Sequence, residues 1–397
     1  MKLRCALVVL ALGTGLAAKP VDPIQVLGSS AARLRHLKYT PILAQRVSQQ
    51  ECAAYVRRIL REESKPKDEL RWDRFLKQLQ LIPKAGSFAQ TRETLLMDQI
   101  RGLYDPKQKR YLVVKGSESK GLEKMMGGMM AMMGIKMEDV FTVHELDHAI
   151  QDQHFSIQSI EKRVGSDFDR QLAAQSLLEG DATAVMTDYI VDLTGQSVDN
   201  RPPEAPGRSE FFGSPAIDKA PRFLKESLTF PYLQGQFFVE TLRWKEGWEG
   251  VNRAYKNLPQ SSEQIMHPQK YPKEGPQPVT LKLTVLPGYR SLGQDTAGEF
   301  TVRCWAREHN KGANVSSGWG GDRFEVCDGP GGAYVVWATV WDSPADAKEF
   351  ADFATQVLSK KGPPTRVGGL SRWKRDALKH QGRSVTLWIN LPPKYPL

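Results

Sequence analysis

Apolar residues recur at three- to four-residue spacing along most of the chain as far as about position 260, and beyond Thr280 they alternate with polar ones between Gly-rich turns. Helices are therefore expected first and strands later. Ser48-Gln49-Gln50-Glu51 has the form of a capping box and predicts a helix running to about Glu63, broken at Lys65-Pro66-Lys67. Before it, Leu34 to Pro41 reads as an irregular or strand segment. A second helix is predicted over Asp68 to Leu81, ending before Pro83. Gln99 to Tyr104 and Arg110 to Val114 flank Asp105-Pro106-Lys107-Gln108-Lys109 and predict a hairpin.

The stretch Glu138 to Phe155 places Val140, Phe141, Val143, Leu146, Ala149 and Ile150 at helical spacing with no Pro or Gly, and Asp169 to Val191 predicts another long helix. Asn200 to Pro221 is rich in Pro, Gly and Ser and reads as a long surface loop. A helix is expected to start at Phe230-Pro231, with Trp248 to Tyr255 continuing a compact helical region. Farther on, Val279 to Leu286 reads as a strand, Ala297 to His309 as a helix, and strands and a helix alternate to the end. Trp319-Gly320-Gly321-Asp322 reads as glycines at a turn into a strand, with no function needed to explain it. The pattern predicts an α+β protein. Its mainly helical part, residues 19–278, carries a small hairpin or sheet and is followed by a separate α+β domain over 279–397.

Composition changes this picture at the two ends. Met-Lys-Leu-Arg, an apolar run from Cys5 to Leu12 and the small residues through Ala18 have the form of a signal peptide over residues 1–18. Export to the periplasm or the exterior is the expectation, with no membrane-spanning segment after the signal is removed. Of the four cysteines, Cys52, Cys304 and Cys327 would remain, and Cys304 with Cys327 is the more plausible disulfide. The formal charge is +10, and from Val357 onward nine Lys or Arg stand against one acid, Asp376. For an exported chain such a surplus suits anionic cell-envelope polymers or lipid head groups rather than nucleic acid, or simply a solvated basic face.

Candidate chemistry sits at His144-Glu145-Leu146-Asp147-His148. Histidines four apart share a helix face and suit a zinc ion, while Glu145, about 100° round the helix, is placed to take a proton from a zinc-activated water. Glu179, 31 residues after His148 on the next long helix, would complete a His2Glu set with one open position; Asp181 and Asp188 are rivals for the ligand role or for bracing a histidine. Gly180 in mid-helix costs about 1 kcal/mol against alanine, which points to a packing reason. Seven of the eleven methionines, Met125 to Met137, precede the histidine helix and read as a mobile flap or loop, with Cu(I) ligation by pairs such as Met126 and Met129 the lesser reading. The hairpin just upstream is a candidate to take a substrate backbone by strand addition.

The segments IRGLYDPKQKRYLVV, HELDHAIQDQHF, LLEGDATAVM, FPYLQGQFFV, VNRAY and SSEQIMHPQKY, in that order, resemble a group of exported bacterial zincin proteins, mostly uncharacterised and taken to be metallopeptidases. The resemblance spans roughly residues 35 to 350. HExxH with a downstream glutamate is also what gluzincins share. It implies one zinc ion held by His144, His148 and Glu179, with Glu145 catalytic, and a peptide or protein substrate. Two departures stand out: Asp147, where a small hydroxyl residue is more usual, and Thr183, where an acid often braces a ligand histidine. The brace is left open, with Asp181 or Asp152 as candidates.

Hydrolysis also calls for a donor to the oxyanion. His267, in a turn before a proline, is the first candidate, with Tyr271, Tyr232 and Tyr189 as alternatives. The resulting expectation is a secreted zinc metallopeptidase. Its competitor is a zinc-stabilised, non-catalytic envelope-binding protein. A structural zinc would need no glutamate at position 145 and would close its fourth position.

Overall fold

A computed structural model describes residues 22–115, 130–132, 134–198, 201–205, 215–360, 362–367, 369–393 and 395–397. The segments expected as a signal peptide, most of the Met-rich run (125–129 and 133) and residues 200 and 206–214 of the expected 200–221 loop lie outside the described residues. The described part of that loop contains a short helix, Pro215–Lys219, that the Pro- and Gly-rich composition did not suggest. Among the described residues the fold is α+β, with 53% helix and 16% strand.

In chain order the first half gives α1 (Pro23–Arg35), β1 (Leu43–Val47), α2 (Gln49–Glu63), α3 (Pro66–Gln78), α4 (Phe88–Gln99), β2 (Gly102–Asp105) and β3 (Arg110–Val114). Then follow α5 (Met137–Phe155), α6 (Ile157–Val164), α7 (Phe168–Leu193), α8 (Pro215–Lys219), α9 (Arg222–Lys256) and α10 (Ser262–Met266). The second half gives β4 (Arg290–Asp295), α11 (Gly298–Glu308), β5 (Trp319–Asp328), β6 (Tyr334–Trp341), α12 (Pro344–Ser359), β7 (Thr365–Val367), β8 (Leu370–Arg372), β9 (Ala377–Gln381) and β10 (Ser384–Ile389).

Local chemistry explains the boundaries. The capping box forms, with Ser48 and Glu51 each satisfying the other's backbone N–H. Helix α1 was not foreseen; Asp22 caps it and Pro23 sits at its first position, where a missing N–H does no harm. The hairpin forms as β2 and β3, and Asp105 closes its turn by accepting from Lys107 N and Gln108 N. β3 also pairs in parallel with β1, giving a three-stranded sheet in the order β1-β3-β2. The second sheet has seven strands, all antiparallel, in the order β4-β5-β6-β10-β9-β8-β7.

The boundary expected at 278/279 falls in a connection, 274–286, without helix or strand. Val279 to Leu286 is not a strand. The backbone of Thr284 is satisfied by tyrosine hydroxyls instead of a ladder: its N–H donates to Tyr395 at 3.1 Å and its carbonyl accepts from Tyr334 at 2.7 Å. Leu281, Leu283 and Leu286 pack on a small cluster holding Cys327 and Tyr334.

The other face of the sheet shares the main core of the helical part. Trp72 and Phe75 of α3 meet Phe324 of β5 at ring separations of 5.2 and 3.8 Å. Arg71 and Trp72 both donate to Asp295 of β4, at 2.8 and 2.9 Å. Gly320, Gly321 and Asp322 lie within β5, at a register irregularity between Trp319 and Gly321, and not in a turn before it. Asp322 accepts from the N–H groups of Ala297 and Gly298, at 2.8 Å each, and so closes the start of α11.

The expected disulfide is absent: Cys304 and Cys327 are free and buried. Cys304, on α11, belongs to the main core, while Cys327, on β5, points into the small cluster on the opposite face of the sheet. A sheet stands between them.

Candidate metal centre

Helix α5 buries Val140, Val143, Leu146, Ala149 and Ile150, and this packing fixes the direction in which His144 and His148 emerge. Helix α7 crosses it and brings Glu179 between them. Nε2 of His144 lies 3.1 Å from Glu179 Oε2, and Nε2 of His148 lies 3.4 Å from the same oxygen. Ligand atoms of the three residues all fall within 4.8 Å of one another. A tetrahedral zinc with bonds near 2.0–2.1 Å needs ligand atoms about 3.3 Å apart, so two imidazoles and a carboxylate in this arrangement fit the ion in donor type and spacing.

The electrostatics agree with a site built for positive charge. Burial pulls the His148 imidazole down, but the charge and hydrogen bond of Glu179, with Glu145 and Gln151 adding to them, win and raise it to about 10. Burial likewise pushes Glu179 up, yet the two histidines hold it well below the usual carboxylate range. A divalent cation would replace the proton in this cluster.

Glu145 projects beside the cluster toward the small sheet, where its Oε2 accepts the backbone N–H of Tyr104 on β2 at 2.7 Å. That strand is tied to the helix a second time, since Tyr104 Oη donates to Asp152 at 2.8 Å and Lys109 pairs with the same carboxylate. Asp152 therefore anchors the hairpin and braces no histidine. The rival acids are also committed elsewhere. Asp181 accepts from Arg35 Nε at 2.7 Å and Tyr255 Oη at 2.8 Å, and Asp188 pairs with Arg243. His148 Nδ1 faces Gln151 Oε1 at 3.0 Å, and this glutamine was not singled out in the sequence. Its position three residues after a ligand, on the same helix face, was the available signal.

Helix α9 completes the surroundings. It begins at Arg222, eight residues before the expected start, and continues through Pro231. Gly235 meets Gly180 backbone to backbone: a Cβ on Gly180 would lie 2.1 Å from the Gly235 carbonyl carbon, and one on Gly235 would lie 2.1 Å from Ser176 O. That is the packing reason expected for Gly180. Tyr232, one turn before Gly235 on the same face, is thereby set over the cluster, its ring 5.9 Å from that of His144. Burial, the charges of Glu179 and Glu145 and a hydrogen bond to Glu179 keep its hydroxyl protonated far above the ordinary tyrosine range.

The structure does not bring His267 to the cluster. It ends α10, and its Nε2 lies 3.0 Å from Glu299 Oε2 on α11, which raises the imidazole and makes it a link between two helices. Tyr271 donates to Asn257 O at 2.6 Å. Among the tyrosines named as candidates, only Tyr232 has an interaction with a cluster residue among the described residues. A cleft of about 160 Å³ lined by Thr187, Arg201, Leu233, Phe237 and Glu240 opens farther along α7 and α9 and contains none of the cluster residues.

Residues 284–394 match the family described as a domain of unknown function, DUF8575. No curated protein and no solved structure matches the chain. The match covers the seven-stranded sheet and α11 and α12, and His144, Glu145, His148, Glu179 and Tyr232 all lie outside it.

Proposed function

We propose that this protein is a zinc-dependent metallopeptidase that hydrolyses peptide bonds with Glu145 as general base. The observation that carries the reading is the convergence of His144, His148 and Glu179 with Glu145 alongside, a three-ligand set with a carboxylate that is not itself a ligand. Zinc, when held by the three ligands, supplies a Lewis acid. The chain's own residues do the rest. Glu145, oriented by the Tyr104 N–H, takes a proton from the attacking water and returns it to the leaving amine. Tyr232, protonated across the working pH range, donates to the oxyanion that forms on the attacked carbonyl. The outer edge of β2, unpaired with any strand among the described residues, suits a substrate backbone laid beside α5.

The leader-like N-terminal sequence supports export, and among the described residues no helix is long and apolar enough to cross a membrane. Arg366, Arg372 and Lys379 are exposed on the far strands of the sheet and Arg383 in the turn between β9 and β10, while Asp376, the one acid of that region, is buried. This supports a second contact with anionic envelope polymers.

The test is cleavage of unfolded proteins and of cell-wall peptides by the zinc-loaded protein. Cleavage should stop on chelation and return with zinc. Tyr232→Phe should lower kcat by about a hundredfold, the loss typical of one oxyanion donor. Stoichiometric zinc without cleavage of either substrate would instead favour a zinc-stabilised binding protein.

A further inference from the structure

Gln151 makes three hydrogen bonds in a buried site behind His148. Its Nε2 donates to Asp147 Oδ2 at 2.7 Å and to the Leu178 carbonyl at 3.0 Å, and its Oε1 lies 3.0 Å from His148 Nδ1. The amide can point only one way. Turned over, its oxygen would face a carboxylate oxygen and a carbonyl oxygen, which offer it no proton. Asp147 is fully buried, so Oδ2 has no water to compete for, and a proton on the other oxygen would leave Oδ2 an acceptor still. An amide oxygen only accepts; the hydrogen between Gln151 and His148 therefore belongs to His148 Nδ1.

We propose that Gln151 is the positioning residue of the metal centre: by accepting from Nδ1–H it fixes the ring of His148 with Nε2 turned toward Glu179 and free to ligate. This assignment rests on the metallopeptidase reading for its purpose, but not for its geometry. It also fills the role left open by Thr183, which has no acid to offer and whose hydroxyl donates to Glu179 O at 2.6 Å. The brace comes from the histidine's own helix, one turn on, rather than from the helix carrying the glutamate. Two further contacts hold it from outside α5: Leu178 O from α7, and, facing Asp147, the charge of Arg35 from α1, itself buried and paired with Asp181 at 2.7 Å.

The experiment follows the Nδ1–H proton of His148 by NMR on the full chain labelled with ¹⁵N, metal-free and zinc-loaded, and measures zinc affinity by competition with a chelator. The wild type should show a slowly exchanging Nδ1–H in both states. Gln151→Met, close in volume and without an acceptor of comparable strength, should lose that signal and bind zinc about 10- to 100-fold more weakly, the usual effect of removing such a support. Asp147→Asn, which can still present an oxygen to Gln151, should keep the signal. A protected Nδ1–H in Gln151→Met, with zinc affinity unchanged, overturns the assignment and leaves the peptidase reading standing. A wild type that binds no zinc overturns the peptidase reading, and the metal-free exchange of Nδ1–H then decides the role of Gln151 by itself.

Discussion

Replacing Glu145 with glutamine is expected to lower kcat on an unfolded-protein substrate about a thousandfold while leaving zinc bound. The two side chains have nearly the same shape. An amide oxygen at position 145 can still accept the Tyr104 N–H, so the link between α5 and β2 should persist. What is lost is the ability to take a proton, and proton transfer by a positioned side chain is typically worth about a hundred- to ten-thousandfold. Because Glu145 contributes no atom to the cluster of His144, His148 and Glu179, metal content should not follow activity down. Steady-state kinetics and metal analysis on the same preparation separate the two. A variant that retains wild-type kcat would remove Glu145 from the chemistry.

The second large effect is expected at Gly180. In an exposed helix Gly→Ala raises stability by about 1 kcal/mol, because glycine gives up the most backbone freedom on folding. Here the sign should reverse. A Cβ at Gly180 would sit 2.1 Å from the carbonyl carbon of Gly235, an atom of another helix's backbone that cannot turn aside as a side chain can. Overpacking of this kind costs about 1–3 kcal/mol, so Gly180→Val should lose on the order of 3 kcal/mol in urea unfolding and Gly180→Ala somewhat less. Catalysis should suffer more than the fold in the alanine variant. The Gly180–Gly235 contact sets the distance between α7 and α9, and so the placement of Tyr232 over His144 and Glu179. Unchanged or increased stability in Gly180→Ala would show that the helices do not approach so closely.

How much of this was legible in the sequence depended on whether a feature is local. The capping box at Ser48, the helices carrying His144 and Glu179, and the hairpin around Asp105 are each fixed by residues a few positions apart, and each forms, although the first strand of the hairpin begins at Gly102 and Gln99 instead ends α4. Glu179 could be placed because a ligand on a second helix needs only a carboxylate flanked by small residues. The oxyanion donor could not. His267 lies in a turn before a proline, a sound local signal, yet Glu299 from a helix 32 residues away occupies its ring nitrogen. Tyr232 looked like a residue at a helix start because Pro231 suggested one. In fact α9 runs through the proline, and only its crossing with α7 carries the tyrosine to the site. The strand expected at Val279–Leu286 fails for the same reason: its residues do alternate, but two tyrosine hydroxyls, from the sheet and from the C-terminal segment, satisfy the backbone of Thr284 there. Cys304, on α11, packs on one face of the sheet while Cys327 of β5 points to the other, and no local pattern discloses that placement.

The central claim is that His144, His148 and Glu179 together hold one zinc ion. Metal analysis of the purified chain after dialysis against metal-free buffer tests it most directly, with His144→Ala, His148→Ala and Glu179→Gln prepared alongside. About one zinc per chain should remain in the wild type, as a three-ligand His2Glu site requires, and each variant should lose most of it while keeping its circular dichroism spectrum. A wild type without zinc, or three variants that retain it, would contradict the account.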